Sequence, residues 1–191
     1  MREKHVWMRL ALAAGCVGLV CCARSAIAGE PKVAKLTGQD YSEIEQLVNK
    51  YAYALDHCAD NGNSYADLYV ADGEFGVTTD WDTPPTKLIA GHDALAGLGG
   101  GTGPGGACKD PKLSRNYGAT HITVGLVITP VPGGAIGKAV PLLLGVDGDP
   151  NKIVRQGGKR DFFVKTRDGW RFKSEWHVDV ATAAAPPTPA Q

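Results

Sequence analysis

Two residues that can exchange protons, Asp56 and His121, are the first candidates for chemistry in this sequence. Asp56 ends the stretch "YAYALD" (51–56), and His121 lies in "ATHITVG" (119–125). An imidazole with an ordinary pKa near about 6.5 is a natural general base, and a carboxylate that accepts its second N–H fixes the tautomer and stabilises the imidazolium. Such a pair in an apolar cavity can remove a proton from a carbon beside a carbonyl or a leaving group.

Three further residues are weaker candidates for lining a cavity or contacting a substrate: Tyr53, Phe75 and Lys159. Lys159 alternates onto the same strand face as Asp161 and Phe163 and could supply a cation, although a solvated lysine is the favoured interpretation. The remaining histidines are interpreted as ordinary polar or capping residues, namely His5, His57, His92 and His177.

The helix that must position Asp56 is the clearest element of the sequence. Apolar residues recur at three- and four-residue steps over 40–57, and Asp40 with Glu43 three residues later predicts a capping box at its start. At 100° per residue, Asp56 lies at the edge of the apolar face, next to Ala52. That position suits either the mouth of a cavity or a solvated helix end, and spacing favours the second.

The strand that must position His121 begins after Asn116. Strict alternation predicts one face with Ile122, Val124, Leu126 and Ile128, and the other with His121, Thr123, Gly125 and Val127. His121 therefore lies on the less apolar face, which is either a pocket lining or an exposed surface.

The order of elements predicts an α+β fold. Two short helices are expected at about 64–70 and within "GHDALAGLGG", with a strand "EFGVTTDW" between them. Four long strands follow, separated by turn signals: "YGATHITVGLVITP", "AIGKAVPLLLGV", "KIVRQGGKRDFFVKT" and "WRFKSEWHVDV". Helices followed by hairpin-linked strands indicate an antiparallel sheet with the helices on one face.

The two ends of the chain differ from this domain. Residues 1–28 carry basic residues, an apolar stretch and an Ala-Ile-Ala site, which together predict a cleaved secretory signal peptide, with a lipoprotein at Cys16 as the alternative. Residues 29–37 are predicted to be a linker, 38–180 the folded domain, and 181–191 a disordered tail. The protein is therefore expected to be exported, periplasmic or secreted, and free of the membrane after cleavage.

Charge and cysteine content limit which partners and cofactors are expected. Residues 29–191 hold 16 Lys and Arg against 19 Asp and Glu, without a basic stripe, which argues against nucleic acid as a partner. In an oxidising compartment, Cys58 and Cys108 are expected to form a disulfide. No familiar zinc-ligand spacing is present, and the glycine-rich stretch 99–111 does not open a helix after a strand, so neither a metal nor a nucleotide cofactor is predicted.

The order of the motifs resembles the SnoaL-like branch of the nuclear transport factor 2-like superfamily over about residues 38–178. The stretches that carry the likeness are "DYSEIEQLVNKYAYALD", "YADLYVADGEF", "GHDAL", "ATHITVG" and "GGKRDFFVKTRDGWRF". The resemblance implies a cone-shaped barrel, in which a curved antiparallel sheet wraps around about three N-terminal helices and an apolar cavity, frequently with dimerisation through the sheet.

The cone is of the scytalone dehydratase and ketosteroid isomerase type, and some relatives are enzymes, including scytalone dehydratase and hexachlorocyclohexane dehydrochlorinase. In the dehydratase-like relatives an Asp on the first helix works with a His on a central strand, and the matching positions are Asp56 and His121. Leu55 replaces a cavity tyrosine, and Gly157, Gly158 and Lys159 replace a second histidine or tyrosine. Two function classes stay open: a cofactor-free lyase or isomerase acting on a small, largely apolar molecule, and a non-catalytic ligand-binding or dimer-forming module.

Overall fold

The computed structural model describes residues 33, 35–100, 120–145, 149–155 and 157–179, with the side chains of 154 and 155 excepted. The chain divides into two units, residues 1–30 and 31–191, and every described residue belongs to the second. The predicted signal peptide and the predicted tail lie outside the described residues, as does Cys108.

The first helix, α1 (Gly38–Asp56), begins slightly before the limit that the sequence indicates. Its N-cap is Thr37, whose hydroxyl accepts a hydrogen bond from the Asp40 backbone N–H, while the Asp40 carboxylate accepts one from the Thr37 backbone N–H at 2.8 Å. The capping box therefore pairs Thr37 with Asp40, and the predicted pairing of Asp40 with Glu43 is wrong. The apolar stripe of α1 is buried as predicted, through Ile44, Leu47, Val48, Tyr51 and Ala54.

Three short helical segments follow the first helix in the described chain. A 3-10 helix (Ala59–Gly62) leads into α2 (Asn63–Ala66), and α3 spans His92–Leu98. The predicted third helix is confirmed, whereas α2 ends four residues before the predicted limit because the chain enters the first strand at Tyr69.

The strands form one sheet with the order β2-β1-β7-β6-β4-β3, and β5 pairs with β4. Their bounds are β1 (Tyr69–Thr78), β2 (Leu88–Ala90), β3 (Thr120–Val131), β4 (Gly134–Leu144), β5 (Ile153–Arg155), β6 (Gly158–Thr166) and β7 (Gly169–Val178). The inner face of the sheet packs on α1 through residues such as Ala135, Phe163 and Phe172, which share one core with Ile44 and Tyr51.

The predicted α+β class, with a curved sheet around the helices, is confirmed, and two details differ. β1 pairs with β7 in parallel. The two strands are not joined by a hairpin, because β2, α3 and β3–β6 lie between them in sequence. The sheet is also open, with β2 and β3 at its two ends. Within the described ranges, none of the helices has the length and apolar character needed to span a membrane.

Candidate active site

Asp56 and His121 meet where the end of α1 lies against the start of β3. The Asp56 Oδ1 atom is 2.6 Å from His121 Nδ1, and the His121 backbone N–H lies 3.1 and 3.0 Å from the two carboxylate oxygens. Both His121 donor groups therefore point at one carboxylate. The contact fixes the imidazole relative to a helix that is 65 residues away in sequence.

A β-bulge in β3 places His121 on the inner face. The pairing register with β4 shifts between Val124 and Val127, and Gly125 adopts φ 66°, a conformation that glycine tolerates best. Because the extra residue reverses the alternation, the inner face holds His121 and Thr123 together with Leu126 and Ile128. The predicted grouping of Leu126 and Ile128 with Ile122 and Val124 is wrong for this reason.

The geometry of the pair selects one tautomer of His121. An ionised carboxylate only accepts hydrogen bonds, so Nδ1 carries the proton that it donates to Asp56, and Nε2 keeps its lone pair. No hydrogen bond joins Nε2 to any residue that the structure describes. The two side chains are 12% and 13% exposed, so the pair is reachable from solvent while most of its surface is covered.

Tyr51, five residues before Asp56 on α1, connects this pair to the centre of the domain. Its ring meets the His121 ring edge-on, with centroids 6.3 Å apart at 83°. The Lys159 Nζ atom lies 3.4 Å from the centroid of the same ring, a cation–π contact. The Tyr51 hydroxyl is 3.4 Å from His177 Nε2.

Lys159 lies on the inner face, as its alternation indicates, but it has no exposed surface. The favoured interpretation as a solvated lysine is wrong, because the strand face that it shares with Phe163 is the core face. Its ammonium is 3.4 Å from Glu175 Oε1 and 3.7 Å from Asp161 Oδ2, and it forms no hydrogen bond among the described residues. Lys159 therefore supplies a buried charge without offering a surface to a ligand.

The buried carboxyl groups have opposite responses to this environment. Burial alone raises the pKa of Glu175, but Lys159, His177 and the hydroxyl of Tyr69 outweigh it and lower the pKa overall. Burial raises the pKa of Asp161 above its ordinary value, and Lys159 only partly opposes that shift. The Lys159 charge is thus balanced by ionised Glu175, while Asp161 tends to keep its proton.

The other two residues predicted to line a cavity, Tyr53 and Phe75, differ in exposure: one is exposed and the other faces inward. Tyr53 is 64% exposed and packs against His57, with ring centroids 4.3 Å apart, because it lies on the polar side of α1. The expectation that Tyr53 lines a cavity is therefore corrected. Phe75 is half-buried on the inner face of β1 and meets the ring of His177 at 5.1 Å.

Sequence reasoning missed the polar pair on β7. Glu175 and His177 are two residues apart and both pair with inner-face residues of β6, namely Asp161 and Lys159. Alternation from Glu175 places His177 on the inner face, whereas its position near the end of a strand favours the surface. Cys58 follows α1 with φ 50°, and its predicted bridge to Cys108 stays a prediction because Cys108 lies outside the described residues.

Comparison of structures places this fold among nuclear transport factor 2-like proteins. An NTF2-like protein with a cystatin-like fold from Novosphingobium aromaticivorans superposes with TM-score 0.57 at 20% identity, covering 76% of this chain and 85% of that chain. A protein of the same organism proposed to be a scytalone dehydratase gives TM-score 0.53 at 21% identity, with 80% and 95% covered. One proposed to be an aromatic ring hydroxylase gives 0.54 at 16%, with 76% and 92% covered.

The sequence itself matches the SnoaL-like domain over residues 37–175. The chain therefore belongs to the SnoaL-like family, and the resemblance seen in the motifs is confirmed. No curated protein sequence matches it. The structural neighbours are below 25% identical, so they establish the fold and leave the reaction to be argued from the site.

Proposed function

We propose that this protein is a cofactor-independent lyase or isomerase that binds a small, largely apolar molecule and uses His121 as a general base. The observation that carries the proposal is the 2.6 Å contact between His121 Nδ1 and Asp56 Oδ1. It leaves Nε2 as the basic atom on the inner face of the sheet. Asp56 orients the ring and balances the charge of the imidazolium that forms.

The proposed step is the transfer of a proton from a carbon next to a carbonyl group to Nε2 of His121. A neutral imidazole can deprotonate only an activated carbon, so the substrate must carry a group that stabilises the resulting enolate. This transfer requires neither a metal nor a redox cofactor. One structural neighbour is proposed to be a dehydratase, which is compatible with such chemistry, although the likeness at 21% identity supports the fold alone.

A ketone without a leaving group tests the proton transfer by itself. 4-Phenylbutan-2-one would be incubated with the protein in deuterium oxide, and the loss of its proton signals next to the carbonyl would be followed by NMR. We expect the wild type to accelerate exchange and His121→Gln to lose about 10²–10⁴-fold of that acceleration. Asp56→Asn should lose a smaller part, because the base stays but its orientation does not.

His92→Gln is the matched control, since His92 is an exposed histidine that contacts Asp67 on the surface at 3.0 Å. It should exchange the ketone at the wild-type rate. A wild type that exchanges the ketone no faster than His121→Gln would contradict the proposed function.

The alternative of a dimer-forming module is supported by the outer face of the sheet. Ile122, Val124 and Val127 are 36%, 39% and 62% exposed and lie side by side on β3, which makes an apolar strip. We propose a homodimer that buries this strip. In sedimentation experiments Val127→Glu should shift a wild-type dimer to monomer, and a monomeric wild type would rule the dimer out.

Export and the disulfide complete the proposal. A signal peptide over residues 1–28 would leave Gly29 as the mature N-terminus, and an oxidising compartment would join Cys58 to Cys108. Mass spectrometry of protein secreted from a bacterial host would measure both, with a peptide pair linked through the two cysteines under non-reducing conditions. A chain that stays in the cytoplasm with Met1 intact would contradict export.

A further inference from the structure

The outer face of the sheet carries a row of side chains that the proposed reaction does not use. Val127 on β3 pairs with Lys138 on β4, Lys138 pairs with Arg160 on β6, and Arg160 pairs with Trp176 on β7. The four residues therefore lie side by side across four neighbouring strands. They point away from the core, because Ala139, the next residue on β4, is buried on the inner face.

Two residues of this row are cations that lie directly opposite each other. The side chains of Lys138 and Arg160 form neither an ion pair nor a hydrogen bond with any residue that the structure describes. Like charges directly opposite each other on neighbouring strands destabilise a sheet. Asp161, next to Arg160 in sequence, lies on the inner face, where burial raises the pKa of its carboxyl group. The two cations therefore form a positive surface that the described part of the chain does not neutralise.

Each cation is held over a tryptophan ring. Lys138 Nζ is 5.4 Å from the centroid of the Trp81 ring, and Arg160 Cζ is 4.6 Å from that of the Trp176 ring. Trp81 lies over Gly158 of β6, where a Cβ atom would meet the ring at 2.4 Å, so a larger residue would displace it. The glycine thus gives Trp81 a defined seat, from which the ring positions Lys138.

Trp176 adds a third donor to the same cluster. Its indole N–H is buried and finds no acceptor within the described ranges. Buried donors in folded proteins nearly always have a hydrogen-bond partner, so an unpaired one beside two cations is unusual. An ammonium, a guanidinium and an N–H group are the kinds of donor that bind the oxygen atoms of an anion.

An apolar groove adjoins the cations on the side of β3. It is lined by Val127, Thr129, Ile136 and Lys138 and has a volume of about 450 Å³. This volume is within the range of about 300–1,000 Å³ that is typical of sites for small molecules. Because Lys138 belongs to both the groove and the cationic row, one molecule can occupy the groove and reach the cations with a charged end.

We propose that this outer-face groove binds a small amphiphilic carboxylate, a free molecule with a short alkyl chain and one ionised carboxyl group. The alkyl chain lies against Val127 and Ile136, and the carboxylate meets Lys138 and Arg160, whose guanidinium suits a carboxylate in planar geometry. Binding relieves the repulsion between the two cations and covers apolar side chains. The site is on the opposite face of the sheet from His121, so binding does not depend on the proposed proton transfer.

Octanoate, octan-1-ol and acetate separate the two parts of this ligand. Each would be titrated into ¹⁵N-labelled protein at neutral pH, and the indole N–H signals would be followed by NMR. We expect octanoate to shift the signals of Trp81 and Trp176 but not that of Trp170, which donates to Asp40 Oδ1 at 3.0 Å in the core. Octan-1-ol and acetate should each bind at least about tenfold more weakly, because each lacks one of the two interactions.

Variants of the row test the role of the cations. Lys138→Gln and Arg160→Gln should each weaken octanoate binding by about tenfold, which is the effect of losing one hydrogen bond to a charged group. Lys50→Gln is the matched control, since Lys50 is exposed on α1, the helix that packs on the inner face. It should bind octanoate like the wild type, and so should His121→Gln.

Four results would overturn the carboxylate site. Octan-1-ol might bind as tightly as octanoate, or both row variants might bind octanoate like the wild type, and either result would remove the role of the cations. Shifts at His121 without shifts at Trp81 and Trp176 would place the ligand on the inner face. No binding by the wild type, even where anionic lipid vesicles bind, would exclude a free ligand. None of these results affects the exchange of 4-phenylbutan-2-one, which tests the proposed function separately.

Discussion

The polar groups inside the sheet fall into two regions that differ in access to solvent. Asp56, His121 and His177 keep 12–18% of their side chains exposed, whereas Lys159 and Glu175 keep none. The first region can meet a ligand, and the second can act only through the charges and hydrogen bonds that it provides. Burial therefore divides the inner face into groups that a ligand could reach and groups that only support them.

The largest effect on folding is expected from the buried region. Lys159→Met removes the cation that balances Glu175 and should lower the free energy of unfolding by about 3–5 kcal/mol, measured by urea denaturation. Lys173→Met is the matched control, because Lys173 pairs with Asp72 at 2.7 Å on the surface and should cost about 1 kcal/mol or less. Equal losses in the two variants would break the distinction between the regions.

The solvent-reached region should show the reverse pattern. His121→Gln removes the proposed base but leaves a polar, partly exposed side chain, so the free energy of unfolding should change by about 1 kcal/mol or less, while ketone exchange falls by about 10²–10⁴-fold. Parallel measurement of denaturation and exchange checks this. A loss of stability as large as that of Lys159→Met would instead place His121 among the buried, supporting groups.

A backbone change sharpens the role of the bulge that turns His121 inward. Gly125 has φ 66°, and an alanine methyl group there would meet open space, so Gly125→Ala should cost about 1–2 kcal/mol through backbone strain alone. Gly38→Ala, at the start of α1 with open space and no positive φ, should be neutral or stabilising. Thermal denaturation of both variants measures the difference, and an unaffected Gly125→Ala would mean that the bulge is not under this constraint.

The smallest effect is expected at Asp40, which holds the start of α1, at the opposite end of that helix from Asp56. Its pKa is held well below the ordinary value by Lys165, Thr37 and Trp170. Because the folded pKa is lowered, the stabilisation is complete above the unfolded pKa of about 3.9. It is lost as the pH falls below that value toward the lowered folded pKa. The stability difference between wild type and Asp40→Asn should therefore shrink from about pH 6 to about pH 3. A constant difference would contradict the assignment.

Local patterns in the sequence predict much of this fold. The apolar stripe of α1, the glycine-bounded α3 and the hairpin-linked strands follow from periodicity and turn residues, which act over short distances. The parallel pairing of β1 with β7 does not, since it depends on how distant elements pack. The bulge at Gly125 cannot be predicted from a strict two-residue alternation, and it reverses which side chains of β3 face inward after it.

The candidate site divides in the same way. Asp56 and His121 could be paired only through the family resemblance, because neither spacing nor amphipathicity decides which way an edge carboxylate or a strand histidine points. The sequence favours a surface position for Lys159 and His177, because charged and terminal residues are usually exposed. Phe163 shares a strand face with Lys159, and Glu175 shares one with His177. This alternation indicates an inward position for Lys159 and His177 only when the core face of each strand is known.

The tautomer of His121 decides whether Nε2 can act as the base. Long-range proton–nitrogen correlation spectra of protein labelled with ¹⁵N-histidine, assigned with His121→Gln, distinguish a protonated from an unprotonated ring nitrogen. The proposed base requires a neutral ring with its proton on Nδ1 and a lone pair on Nε2, and Asp56→Asn should disturb that preference. A neutral His121 with its proton on Nε2 would rule out this base, because the atom proposed to accept the substrate proton would already carry one.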